Sequence, residues 1–128
     1  MTSPAEAALR EYADAFARGD LSAVVACIHA PCMYIRPGGV VVFPDQDVAS
    51  EALSVGMEKM QARGYHHTEF IGLTSRALSS ELASVSGTLV HVDARGRGIN
   101  REAFTYTFRL DMGRWRLVCA ILHAPLGD

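Results

Sequence analysis

The feature that most restricts the fold is a change of period at Tyr65. Before it, apolar residues recur every three or four positions; after it, they alternate with polar ones. "HTEFIGLTS", "LASVSGTLVHV", "NREAFTYTFRL" and "RWRLVCAILH" each read as a long strand, because side chains on extended backbone point to opposite faces in turn. The breaks between them, at Leu78–Glu81, Asp93–Gly98 and Asp111–Gly113, are short enough to force antiparallel neighbours.

The first half reads as helices. "SPAE" is a capping box in which Ser3 caps, Pro4 opens the first turn and Glu6 closes the pair. Leu9, Tyr12, Ala13, Phe16 and Ala17 then share one face until Arg18-Gly19 ends the helix. Asp20 caps a second helix with Leu21, Val24, Val25 and Ile28 inside, and Pro31 stops it. "CMYI" and "VVVF" form a short strand pair around Pro37-Gly38-Gly39. A third helix is expected from Asp47, with Ala49, Ala52, Leu53, Gly56, Met57 and Met60 as its apolar stripe, closing at Arg63-Gly64. Three helices followed by a meander make one α+β domain over residues 1–128, with the helices on one face of a curved, mostly antiparallel sheet. Such a roof closes at one end and leaves a pocket at the other.

Composition excludes several function classes. A formal net charge of −2 lacks the basic footprint that nucleic-acid binding requires. The longest apolar runs, such as "LVCAIL", are far short of the roughly 20 residues that span a bilayer. Three cysteines, Cys27, Cys32 and Cys119, appear without secretory context, so reduced thiols and a cytoplasmic protein are expected. One lysine against eleven arginines suits a GC-rich bacterial coding sequence. In the last strand, Trp115, Leu117, Cys119, Ile121 and His123 fall on one face by strict alternation, and Val118, Ala120 and Leu122 on the other. Both faces are apolar, so a partner is expected on the outer one, most simply a second copy in a two-fold homodimer.

With "YADAFARGDLSAVVACIHAP" near its start and "FRLDMGRWRLVCAILH" near its end, the chain resembles the NTF2-like superfamily, which includes ketosteroid isomerase, the SnoaL-like cyclases and scytalone dehydratase. The likeness spans roughly Ala5 to Ala124, and its motifs, "ARGDL" and "GRW", mark the fold rather than the chemistry. It implies a cone with a deep pocket between sheet and helices, commonly as a dimer. It also implies that Arg36, in "YIRP", stands where the isomerase keeps its catalytic Asp, and an arginine takes no proton at neutral pH. Tyr12 matches the helix-one tyrosine of that family, and Tyr106 falls near its second oxyanion donor.

The candidate residues follow. Arg36 shares a strand face with Tyr34 and has three readings: a fork for a ligand carboxylate or phosphate, an internal ion pair, or a solvated strand end. Tyr12 and Tyr106 lie on apolar faces, as core tyrosines bonded to backbone or as donors to a ligand oxygen. His123 is the first candidate for a general base and His91 the second, because imidazole titrates near neutrality. Phe16, Phe104, Trp115, Met57 and Met60 are expected to line the pocket beside Arg36 and Tyr34. "CIHAPC" lacks the clamp of a zinc site, and no glycine-rich phosphate loop or nucleophile elbow is present, so neither metal nor cofactor is expected. The function this supports is binding of a small acidic or aromatic molecule, with proton transfer next to a carbonyl as the enzymatic reading. The alternative is a homodimeric binding or assembly module without chemistry.

Overall fold

Ser3 accepts a hydrogen bond from the Glu6 amide, and Asp20 and Asp45 do the same for Ala23 and Val48, so a side-chain cap starts each helix. A computed structural model describes residues 2–124. Its elements are α1 (Pro4–Ala17), α2 (Leu21–Ala26), β1 (Ile28–Arg36), β2 (Gly39–Phe43), α3 (Gln46–Ala62), β3 (Tyr65–Ala77), β4 (Leu82–Asp93), β5 (Gly98–Asp111) and β6 (Arg114–His123). Two boundaries differ from the sequence reading. Ile28 belongs to β1 rather than to the second helix, which ends at Ala26, and Pro31 lies inside β1, where pairing with β6 is interrupted between Ile28 and Met33. Asp45 rather than Asp47 opens α3.

The six strands form one sheet in the order β2-β1-β6-β5-β4-β3. All pairs are antiparallel except β1 with β6, which joins the first hairpin to the meander. Met112 (φ 52°) and Gly113 (φ 78°) both adopt left-handed backbone at the β5–β6 turn, the geometry whose twist suits a two-residue hairpin. The helices cover one face. Between them and the sheet lies a core of Leu9, Val24, Ile28, Leu53, Val85, Phe104, Phe108 and Leu117, each nearly or fully buried. This is the α+β cone expected from the pattern.

One irregularity decides what faces inward. On β5, Thr107 pairs with Cys119 but Phe108 pairs with Leu117, so Val118 is an extra residue with no partner. Such a bulge reverses the alternation. Leu117 and Ala120, three apart, are therefore both fully buried, and Leu122 follows them inward. Cys119, Ile121 and His123 turn to the outer face, contrary to strict alternation.

Candidate functional site

A cavity of about 460 Å³ opens between α1, α3 and the inner face of the sheet. Its floor is apolar and phenolic. Leu9, Tyr12, Ala13 and Phe16 come from α1, Tyr34 from β1, Leu89 from β4, Tyr106 from β5 and Leu122 from β6. Its mouth is cationic: Arg36 at the end of β1, Lys59 in the last turn of α3 and Arg63 just beyond that helix all line it. Gly56 and Ala52, one and two turns before Lys59 on α3, are small enough to leave room beneath those cations.

On the floor the Tyr12 and Tyr34 hydroxyls share a hydrogen bond of 2.8 Å. Tyr106, 95% buried by its 5% exposure, has a hydroxyl that makes no hydrogen bond among the described residues, yet it is not sealed from the cavity. Burial pushes the Tyr12 phenol up to about 12, partly offset by its bond to Tyr34. Burial, followed by the nearby phenols, holds Tyr34 and Tyr106 well above the usual phenol range. All three are neutral donors at physiological pH, in a setting where a hydrogen bond to developing negative charge is strong.

A polar chain runs along the wall from mouth to interior. Arg36 Nη1 donates to Glu102 Oε2 at 3.1 Å, Asn100 Nδ2 donates to Glu102 Oε1 at 3.2 Å, and Asn100 Oδ1 lies 2.6 Å from His91 Nδ1. Strand register assembles it: His91 pairs with Asn100 across β4 and β5, and Glu102 is two residues along on the same face. Burial, the largest influence, lowers the His91 imidazole below its ordinary range, so the ring is neutral at pH 7. Tyr65 packs edge-on against it, with ring centroids 5.4 Å apart.

The cavity thus brings together Arg36, Tyr34, Tyr12, Tyr106, His91, Phe16 and Met60. The other sequence candidates lie elsewhere. His123 is on the outer face because of the Val118 bulge, bonded to the Ala124 carbonyl and near Thr105 Oγ1. It is no base for this cavity. Phe104 lies beneath the floor, stacked edge-on against Phe70 (5.7 Å) and Tyr106 (4.9 Å). Trp115 packs against the core beyond the cavity, and Met57 points from α3 into the core while Met60, nearly a full turn on, reaches the cavity. Two of the three readings of Arg36 hold at once, since it pairs with Glu102 and keeps its side chain 56% exposed, and it also lines the cavity. No group of three His, Cys, Asp or Glu side chains among the described residues is arranged to hold a metal ion.

Sequence reading missed Lys59, Arg63, Asn100 and Glu102. A signal for the first two existed, since Ala52, Gly56, Lys59 and Arg63 repeat at helical spacing on one face. For Asn100 and Glu102 there was none, because "NRE" after a hairpin reads as ordinary solvated polarity.

Comparison with solved structures finds the same cone in many bacterial proteins. An NTF2-like protein with a cystatin-like fold from Novosphingobium aromaticivorans superposes with a TM-score of 0.75 at 16% identity, covering 95% of this chain and 80% of that one. A candidate dehydratase of the NTF2-like family from Streptomyces avermitilis gives 0.74 at 14% identity, covering 97% and 95%. A cystatin-like-fold protein of unknown function from Nostoc punctiforme gives 0.73 at 10%, covering 94% and 88%. At such identities the likeness shows the fold alone, and the SnoaL and ketosteroid isomerase subgroups receive no support from it. No curated protein matches the sequence. The family model described as NTF2-like protein (DUF6841) matches residues 3–125, nearly the whole chain, and to that NTF2-like family the chain belongs.

Proposed function

We propose that the cavity binds a small acidic or aromatic carbonyl compound and that the protein moves a proton at the carbon beside the carbonyl, in the manner of a SnoaL-like isomerase, cyclase or dehydratase. One observation carries the reading: a buried phenol, Tyr106, lines the cavity beside the Tyr12–Tyr34 pair with a hydroxyl that has no partner among the described residues. A phenol that lines a largely apolar cavity and spends its donor on no protein acceptor is free to give it to a ligand oxygen. A ligand carbonyl oxygen is the acceptor that neutral phenols suit best. In this scheme His91 Nε2 takes the proton from carbon, the electron pair moves onto the carbonyl oxygen, and Tyr106 stabilises the resulting enolate. The proton then returns at the product position. Arg36, with Lys59 and Arg63, holds the ligand's carboxylate at the mouth. The Streptomyces candidate dehydratase supports a chemistry of this class on this scaffold.

The test is solvent exchange. Carboxylated aromatic ketones such as 4-oxo-4-phenylbutanoate, incubated with the protein in D2O, are expected to lose the proton signal beside the carbonyl faster than in buffer. Binding without exchange across such a panel would reduce the protein to the alternative, a binding or assembly module; no binding at all would overturn the reading.

A second copy on the outer sheet face belongs to the same proposal. Met33 (36% exposed), Val40 (57%) and Val42 (54%) lie there in register, beside Ile35 and Ile121. Sedimentation is expected to give a dimer, and a monomer at tens of micromolar, about the range where weak interfaces still associate, would refute it. The three free thiols fit a reducing, cytoplasmic setting.

A further inference from the structure

We propose that Asn100 is a positioning residue that fixes His91 in the Nδ1–H tautomer, and that Glu102 and Arg36 link this lock to the anion seat at the cavity mouth. The hydrogen-bond chain permits one assignment. An ionised carboxylate only accepts, so the Asn100 group facing Glu102 must be its NH2. The amide oxygen then faces His91, and Nδ1, 2.6 Å away, must carry the proton. In a neutral ring that leaves Nε2 as a bare lone pair. Nε2 has no protein partner among the described residues and is not sealed from solvent, and the ring lines the cavity. The lock therefore sets which nitrogen can receive a proton from a bound molecule.

The far end of the chain makes the lock sensitive to what sits in the mouth. Arg36 neutralises Glu102 across their 3.1 Å ion pair. A ligand carboxylate that draws the guanidinium onto itself leaves Glu102 more negative toward Asn100 and His91. The charged groups that act on the ring are Glu102 from β5, which raises its basicity, and Arg36 from β1 and Arg63 at the C-cap of α3, which lower it. Tyr65 of β3, also titratable, packs on its face. Binding an anion at Arg36 thus makes the imidazole a stronger base at the moment one is needed. The use of that base in catalysis, and the anion seat at Arg36, rest on the function proposed above; the tautomer and its dependence on Asn100 and Glu102 do not.

Nitrogen-15 NMR of the full chain separates the two. The His91 ring, identified by its absence in His91→Asn, is expected to show protonated Nδ1 and bare Nε2 above its titration midpoint. Asn100→Ala is expected to release the ring to the Nε2–H form. Asn100→Asp keeps an acceptor toward Nδ1, restores the Nδ1–H form and raises the midpoint. Glu102→Gln, whose amide donates as well as accepts, lets Asn100 flip and gives a mixture of tautomers. Arg36→Gln, at an exposed position, raises the midpoint without any ligand. A wild-type ring in the Nε2–H form, or an unchanged tautomer in both Asn100→Ala and Glu102→Gln, would overturn the lock, and a midpoint unmoved in Arg36→Gln would overturn the link. Should Asn100→Ala fail to fold, Asn100→Asp and Glu102→Gln carry the test. Absence of solvent exchange with intact tautomer control would sink the catalytic reading alone.

Discussion

The floor and the mouth of the cavity are built on opposite principles. On the floor, three phenols lie among Leu9, Leu89 and Leu122, with Arg36 and Glu102 acting on Tyr106 in opposite directions, and burial keeps each one neutral. At the mouth, Arg36, Lys59 and Arg63 are exposed, and their charges are screened by water and by Glu102. The difference teaches what each can contribute. Desolvated donors act on charge that develops during a reaction, whereas wet cations attract and orient an anion that is already charged. Catalytic effects should concentrate on the floor and binding effects at the mouth.

The sharpest break in that contrast would come from Tyr106→Phe. Because its hydroxyl has no partner among the described residues, its removal is expected to leave thermal stability unchanged or slightly raised. The exchange rate should fall about 10²- to 10³-fold, the usual cost of one oxyanion donor. Unchanged exchange kinetics would place the chemistry elsewhere. Next in size is alkaline stability. Tyr12 ionises at about 12 when folded against 10.0 in the free chain, so its contribution is fully present below pH 10 and is lost as pH rises toward 12. Tyr34 and Tyr106 act in the same direction. Absorbance at the phenolate band should therefore stay low through pH 10 and rise together with unfolding; phenolate forming in the folded protein near pH 10 would show a wet floor.

At the mouth, Arg36→Ala is expected to weaken binding of a carboxylated ligand about 10- to 100-fold, the range for a charge-assisted hydrogen bond. Stability should move by no more than about 1 kcal/mol, because the Arg36–Glu102 pair is partly exposed. Rising ionic strength should mimic the substitution. Tyr12→Phe strands the Tyr34 hydroxyl and is expected to cost about 1 kcal/mol in denaturant melts, a loss that Tyr106→Phe lacks. The smallest effect is the acid slope from His91. Its folded value lies below that of the free chain, so the unfolded state binds the extra proton as pH falls. Stability contributed by the neutral ring is present above about pH 6.5, the free-imidazole value, and declines below it; His91→Asn should flatten that decline.

How far this contrast was legible in the sequence differed by element. Alternation in "NREAFTYTFRL" and helical spacing through Leu9, Tyr12 and Phe16 placed the phenols on inward faces, because regular backbone makes parity reliable. In "LVCAIL" both faces are apolar, so nothing in the pattern betrays the Val118 bulge, and His123 exchanged places with Leu122. Met57 and Met60 share one stripe in sequence, yet the helix turns one to the core and the other to the cavity. Arg36 and Glu102 are 66 residues apart, and only the sheet order, with β6 between β1 and β5, makes them partners. Helices roofing a meander were written in local periodicity; the polar chain on the cavity wall depends on long-range register that no single stretch records.

The central claim is that a ligand carbonyl rests against neutral phenols on a dry floor. Its most direct test is the carbon-13 shift of 4-oxo-4-phenylbutanoate labelled at the ketone carbon, bound to the wild type and to Tyr106→Phe. A strong hydrogen bond moves this resonance downfield, and the shift should collapse toward that of a weakly bonded ketone in the variant. The same resonance in both proteins, at its position in water, would contradict the account.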